Sequence, residues 1–145
     1  LALYLCIALC VAAAVCDIRF RRIPNALCAA IALSAIASSY LAGGLTLLGL
    51  CALHALAVLL VGMGLFAGGL IGAGDAKMYS SLAFAVLPSQ ALQLLGWISA
   101  AGLVVLAAMA IAKRLKGVPL REMGKSFTVP FAVPIAAGFA ITVLS

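Results

Sequence analysis

Acidic side chains are nearly missing from this 145-residue chain, which has three carboxylates, Asp17, Asp75 and Glu122. Charge of either sign is scarce, at 8% of residues, where a soluble domain carries about 25%. That excludes an ordinary water-soluble domain. Cys-x-x-Cys pairs are absent among Cys6, Cys10, Cys16, Cys28 and Cys51, so neither a zinc site nor a disulfide framework has support. Cys6 and Cys10 share a helix face within an apolar run and read as small packing residues. The one histidine, His54, has no acid near it in sequence, and a metal site needs several ligands. An intramembrane histidine is a functional candidate by default, but the expectation for His54 is a hydrogen-bonded packing residue. No metal and no cofactor are expected. Internal repeats and long polar linkers are also missing, so residues 1–145 read as a single unit.

What remains is apolar: 68% hydrophobic residues and a mean hydropathy of +1.36. The expected fold is an all-α, polytopic membrane protein, because a helix satisfies its own backbone groups in hydrocarbon. The net charge of +6 does not indicate nucleic-acid binding, since the basic residues form short clusters between apolar runs. They read as topology signals and contacts with anionic headgroups. Residues 1–15 are apolar, and the basic cluster Arg19/Arg21/Arg22 follows them. A secretory signal has the reverse order, so this stretch reads as a first span. It is short and does not begin with Met, which leads us to expect a few residues before it.

About six spans fit, near 1–16, 26–42, 45–70, 76–87, 90–112 and 128–144. With the N-terminus outside, all nine basic residues fall on the cytoplasmic side, as the positive-inside rule requires. The uncharged run 76–112 would be about 55 Å long as one helix, too long for a hydrocarbon core of about 30 Å. Pro88-Ser89-Gln90 supplies a turn within it. The fourth span is then only about 18 Å long, which suggests thinning, tilting or a start below the headgroups. The same parity returns Asp75, at the start of span four, to the face where Asp17 ends span one.

Two carboxylates brought close together do not both ionise easily. One then serves as general base on a water while the other donates a proton to a peptide carbonyl. Plainer readings stand beside this one: Asp75 as the N-cap of span four, and Asp17 as an interfacial acid paired with Arg19 or Arg21. Gly72 and Gly74 precede Asp75 and permit close backbone approach, by a substrate strand or by a packed helix. In Ile23-Pro24-Asn25, Pro24 turns the chain and Asn25 caps span two. Lys77 either tempers the charge of the acids or marks the inner boundary of span four. Pro130 and Pro134 are expected to break or kink the start of span six, forming a cavity wall beside the acids. The basic stretch 113–127 reads as a loop on anionic lipid or as a substrate-contacting element, and Glu122 as a loop charge.

Taken together, Asp17-Ile18-Arg19 with Ile23-Pro24-Asn25, Gly72-Ala73-Gly74-Asp75-Ala76-Lys77, and the run from Val129-Pro130-Phe131 to Gly138 resemble the type IV prepilin peptidases. These are GxGD-class membrane aspartic proteases. Each motif is weak alone, but their order, spacing and shared membrane face are specific. The resemblance implies that Asp17 and Asp75 are the catalytic pair. It further implies that the substrate is a prepilin or pseudopilin, whose basic leader is removed at the cytoplasmic face of the bacterial inner membrane, typically after a glycine. Larger members carry a cysteine-rich insert between spans one and two and N-methylate the product. This chain has only about nine residues there and resembles the small Tad/Flp-type branch, so S-adenosylmethionine is not expected. Two other readings are a proton-coupled transporter or channel subunit, with the acids as proton carriers, and a non-catalytic assembly factor with Asp75 as a cap.

Overall fold

The computed structural model describes residues 1–115 and 130–144, and every regular element among them is helical. The chain forms α1 (Ala2–Phe20), α2 (Asn25–Ala67), α3 (Ala73–Ala83), a 3₁₀ turn (Pro88–Gln90), α4 (Ala91–Leu115) and α5 (Ala132–Leu144). Among the described residues, three segments are long and apolar enough to cross a membrane: Ala2–Phe20, Asn25–Ala67 and Pro88–Ala112. The side chains agree with that environment. Leu33, Leu41, Leu45, Leu92 and Val104 point outward with most of their surface uncovered, where lipid rather than water suits them.

α2 is helical from end to end except at one point. Unbroken, it would reach about 64 Å, twice the hydrocarbon thickness. Gly43 and Gly44 leave helical geometry, with Gly44 at φ 64° and ψ −154°, a conformation open in practice only to glycine. The interruption falls where the sequence divides spans two and three. The far end of α2 stops at Ala67, three residues short of expectation. Gly69 turns left-handed (φ 71°), and the Gly69 and Leu70 amides return to the carbonyls of Phe66 and Leu65.

Other boundaries differ from expectation as well. α1 runs to Phe20 rather than 16, ending where Arg21 adopts a left-handed conformation and its N–H bonds the Asp17 carbonyl (2.9 Å). Asp17 therefore lies within the last turn of α1. α3 spans 73–83 rather than 76–87. It begins early because extended Gly72 serves as its N-cap. It ends early because Leu87 before Pro88 is extended (ψ 147°), the geometry that proline imposes on its predecessor. α5 begins at Ala132 and continues without a kink at Pro134. Pro134 sits in the first turn, where its missing N–H costs no helical bond. The stretch 116–129, with Glu122 and most of the basic loop, lies outside the described residues.

The buried core joins Cys6, Cys10 and Ala13 of α1 to Cys28 and Ile31 of α2, Met78 and Leu82 of α3, and Ile135 and Phe139 of α5. Small residues allow two close helix approaches. A Cβ on Gly62 would lie 3.1 Å from that of Ala76, and one on Gly138 would lie 2.6 Å from Ile98 Cγ1 and 2.8 Å from Ile98 N. The first contact holds α3 against the far half of α2, and the second locks α4 to α5. His54 fills its packing role: it is buried, and its Nδ1 donates to the Val86 carbonyl (2.9 Å), a bond that fixes the ring in its Nδ1–H form if neutral. All five cysteines are free, and four are buried.

Candidate active site

The site gathers where the end of α1, the start of α3 and the start of α5 meet. Asp17, in the last turn of α1, is partly buried, and its Oδ2 accepts the Ala132 N–H at 3.3 Å. Ala132 is the first residue of α5, so this amide is one of the donors that a helix leaves without an internal partner. Sequence reasoning missed Ala132, because a main-chain donor carries no side-chain signature. Pro130 and Phe131 nonetheless marked the place where the backbone turns in toward the acids.

Asp75 occupies the third position of α3. It is not the N-cap; Gly72 is, and the Gly72 backbone hydrogen-bonds to the Asp75 carboxylate. That is half of a capping box, in which a third-position acid reaches back to the cap amide. Gly72 has to be small for this to happen, because a Cβ there would stand 2.8 Å from Asp75 Oδ2. Gly74 differs: a Cβ on it would meet only Ile23, at an ordinary 3.6 Å. The two motif glycines therefore do separate jobs, one admitting the carboxylate and the other a neighbouring side chain.

Asp75 belongs to none of the three long apolar helices. Burial pushes its carboxyl up from the usual 3.8 to about 6; the nearby Asp17 carboxylate pushes the same way, and the Gly72 hydrogen bond pulls back. The two acids are thus close enough for one charge to act on the other. Half-buried Asp75 therefore holds a proton more tightly than an ordinary carboxyl does, while Asp17 Oδ2 meets an N–H donor.

The residues around the pair are placed unevenly. Asn25 does not cap α2: Pro24 holds the cap position, and no side chain bonds there. Asn25 Oδ1 instead accepts Lys77 Nζ at 3.2 Å. Lys77 and Asn25 are both exposed, and their bond ties the start of α3 to the start of α2. Pro24 accepts the Leu27 and Cys28 amides and starts the helix. Arg19 is exposed in the last turn of α1.

Beside Asp75, a cavity of about 460 Å³ lies among α2, α3, α4 and α5, with Tyr79, His54, Phe131 and Ile135 also in its wall. Asp75 and Tyr79 are four residues apart and share a helix face. Among the described residues, His54 Nε2 and the Tyr79 hydroxyl are buried without a hydrogen-bond partner.

Two of the chain's few carboxylates thus come from separate helices, Asp17 from the end of α1 and Asp75 from the start of α3. Residues 4–112 match the model of the type IV leader peptidase family, and the chain belongs to that family. Neither a curated protein nor a solved structure matches at a significant level. Family membership makes the chain a peptidase-type hydrolase.

Proposed function

We propose that the protein is a membrane aspartic endopeptidase that removes the leader of a prepilin or pseudopilin at the cytoplasmic face of the bacterial inner membrane. The observation that carries this reading is the electrostatic pairing of Asp17 and Asp75. Burial and the Asp17 charge raise the Asp75 carboxyl to about 6, so in this reading Asp75 serves as the acid and Asp17 as the base. Asp17 takes a proton from water as the water oxygen attacks the scissile carbonyl carbon, and Asp75 gives its proton to the carbonyl oxygen. The tetrahedral intermediate then collapses. Its hydroxyl proton returns to Asp75, the amine leaves with the proton held by Asp17, and the pair is restored. No covalent nucleophile and no cofactor enter.

The positive-inside pattern supports about six crossings with the N-terminus outside, counting the two halves of α2 separately and starting the fourth crossing at Ala76, beyond Asp75. On that topology the basic clusters meet anionic headgroups. The transporter reading fits less well, because such sites lie near the midplane between repeats. Here the acids occupy the last turn of α1 and the first turn of α3.

The test is co-expression with a Flp-type prepilin, in a host without other leader peptidases, scored by the mass of the pilin. The wild type is expected to release the leader. Asp17→Asn and Asp75→Asn, each inserted at normal levels, are expected to leave the prepilin uncut. Full processing by either variant overturns the reading.

A further inference from the structure

The cavity beside Asp75 is distinct in character from the acid pair itself. Its wall is almost wholly apolar, built from Val58, Val61 and Leu65 of α2, Leu95 and Ile98 of α4, and Ile135 of α5. The unpaired atoms of His54 and Tyr79 are buried rather than on its surface. Its volume, about 460 Å³, falls within the usual range for ligand pockets, roughly 300–1,000 Å³.

The cavity also has a direction. Gly62 stands against Ala76, next to Asp75, while His54 lies about 12 Å farther along α2. The wall therefore runs from the acid at one end into the depth of the apolar helices at the other. It opens sideways as well. α2 packs on α3 and α4 packs on α5, but α2 and α4 scarcely touch. Along that seam Val61, Leu65 and Leu95 keep 63%, 38% and 47% of their surface uncovered.

An occupant must satisfy both ends. A lipid acyl chain would fill the apolar part but bring no polar group to the side of Asp75 that the Gly72 amide leaves open, which is costly. A peptide brings hydrogen-bonding backbone to Asp75 and an apolar side chain to the rest. Resting on the peptidase reading above, we propose that this cavity is the specificity pocket for the apolar residue flanking the scissile bond on the membrane-embedded side of the substrate. That residue enters laterally between α2 and α4. Val58 and Ile98 set the size of side chain accepted.

The experiment has a binding arm and a cleavage arm, both in vesicles with the full chain. In the binding arm, Asp75→Asn protein meets a prepilin carrying a photoreactive phenylalanine analogue immediately to the membrane side of the bond. Crosslinks are expected on residues 58–65 and 95–98, and are expected to vanish in a Val58→Trp background. Crosslinks confined to α1, or a pattern unchanged by Val58→Trp, overturn the proposal. In the cleavage arm, the same substrate position is varied as Ala, Leu and Phe. Wild-type kcat/KM is expected to rise about tenfold or more from Ala to Leu, and Val58→Trp is expected to reverse the order. Val58→Trp that releases a co-purifying lipid while leaving cleavage preferences intact identifies an acyl-chain site and overturns the proposal. Crosslinks at the expected residues without cleavage by the wild type would defeat the peptidase reading and leave the docking site standing.

Discussion

Replacing Asp17 by Asn should make Asp75 a stronger acid, and by a bounded amount. Three influences set the Asp75 carboxyl at about 6 against an ordinary 3.8: burial, largest, then the Asp17 charge, both raising it, and the smaller Gly72 hydrogen bond, lowering it. Asn at 17 removes the second while leaving the others. Because burial outweighs the Gly72 bond, the midpoint should fall below 6 yet stay above 3.8. The scarcity of acids supplies the assay. Aspartate labelled with ¹³C at the carboxyl carbon reports only Asp17 and Asp75, and a single resonance remains in the variant. Its titration in detergent or nanodiscs gives the midpoint directly. An Asp75 midpoint equal in wild type and variant would refute the electrostatic pairing. The same shift has a sign for stability. The folded state holds the Asp75 proton more tightly than the unfolded chain, so this contribution is complete below about 3.8 and is lost as pH rises through about 6. Thermal unfolding of Asp75→Asn should therefore depend less on pH across that window than the wild type does.

Other outcomes follow from close approaches. Gly72→Ala should lower leader cleavage about tenfold or more, because the new Cβ at 2.8 Å displaces Asp75 Oδ2. Gly74→Ala, meeting Ile23 at an ordinary distance, should stay within about threefold of wild type, since a misplaced catalytic group costs far more than a tolerated methyl. Equal losses in the two variants would contradict the division of labour. Gly138→Ala should destabilise the protein by about 1–3 kcal/mol, because the clash is with the Ile98 backbone rather than a mobile side-chain tip; thermal unfolding in detergent checks it.

The sequence made the large features legible through strong, local signals. The expected division between spans ending at 42 and starting at 45 coincides with the interruption of α2 at Gly43 and Gly44, and Pro88 marked the turn before α4. Charge parity led to the expectation that Asp17 and Asp75 share a face, and in the structure Asp17 lies near enough for its charge to act on Asp75. What it did not disclose depended on tertiary choices between equal local options. Asn25 is a good cap residue, yet its amide goes to Lys77 from another helix. Asp75 is a good cap as well, but flexible Gly72 takes that position and lets the acid reach back. The boundaries of α1 and α3 shifted by several residues for the same reason: neither is set by apolar periodicity, and each is settled by one left-handed or extended residue. Pro134 carried the opposite lesson, since a residue that breaks helices costs nothing in a first turn.

The partner of Asp17 is a main-chain amide, and this determines how the site responds to mutation. Small side chains at the buried position 132 leave that N–H in place, so exchange to Ser or Gly would pass over one of the contacts that orients the acid. Proline is the exception. It deletes the donor and is well tolerated as the first residue of a helix, so Ala132→Pro should keep α5 intact while freeing Asp17 Oδ2. A leader-cleavage defect that is severe for Pro and slight for Ser or Gly at this position would expose a functional contact written entirely in backbone.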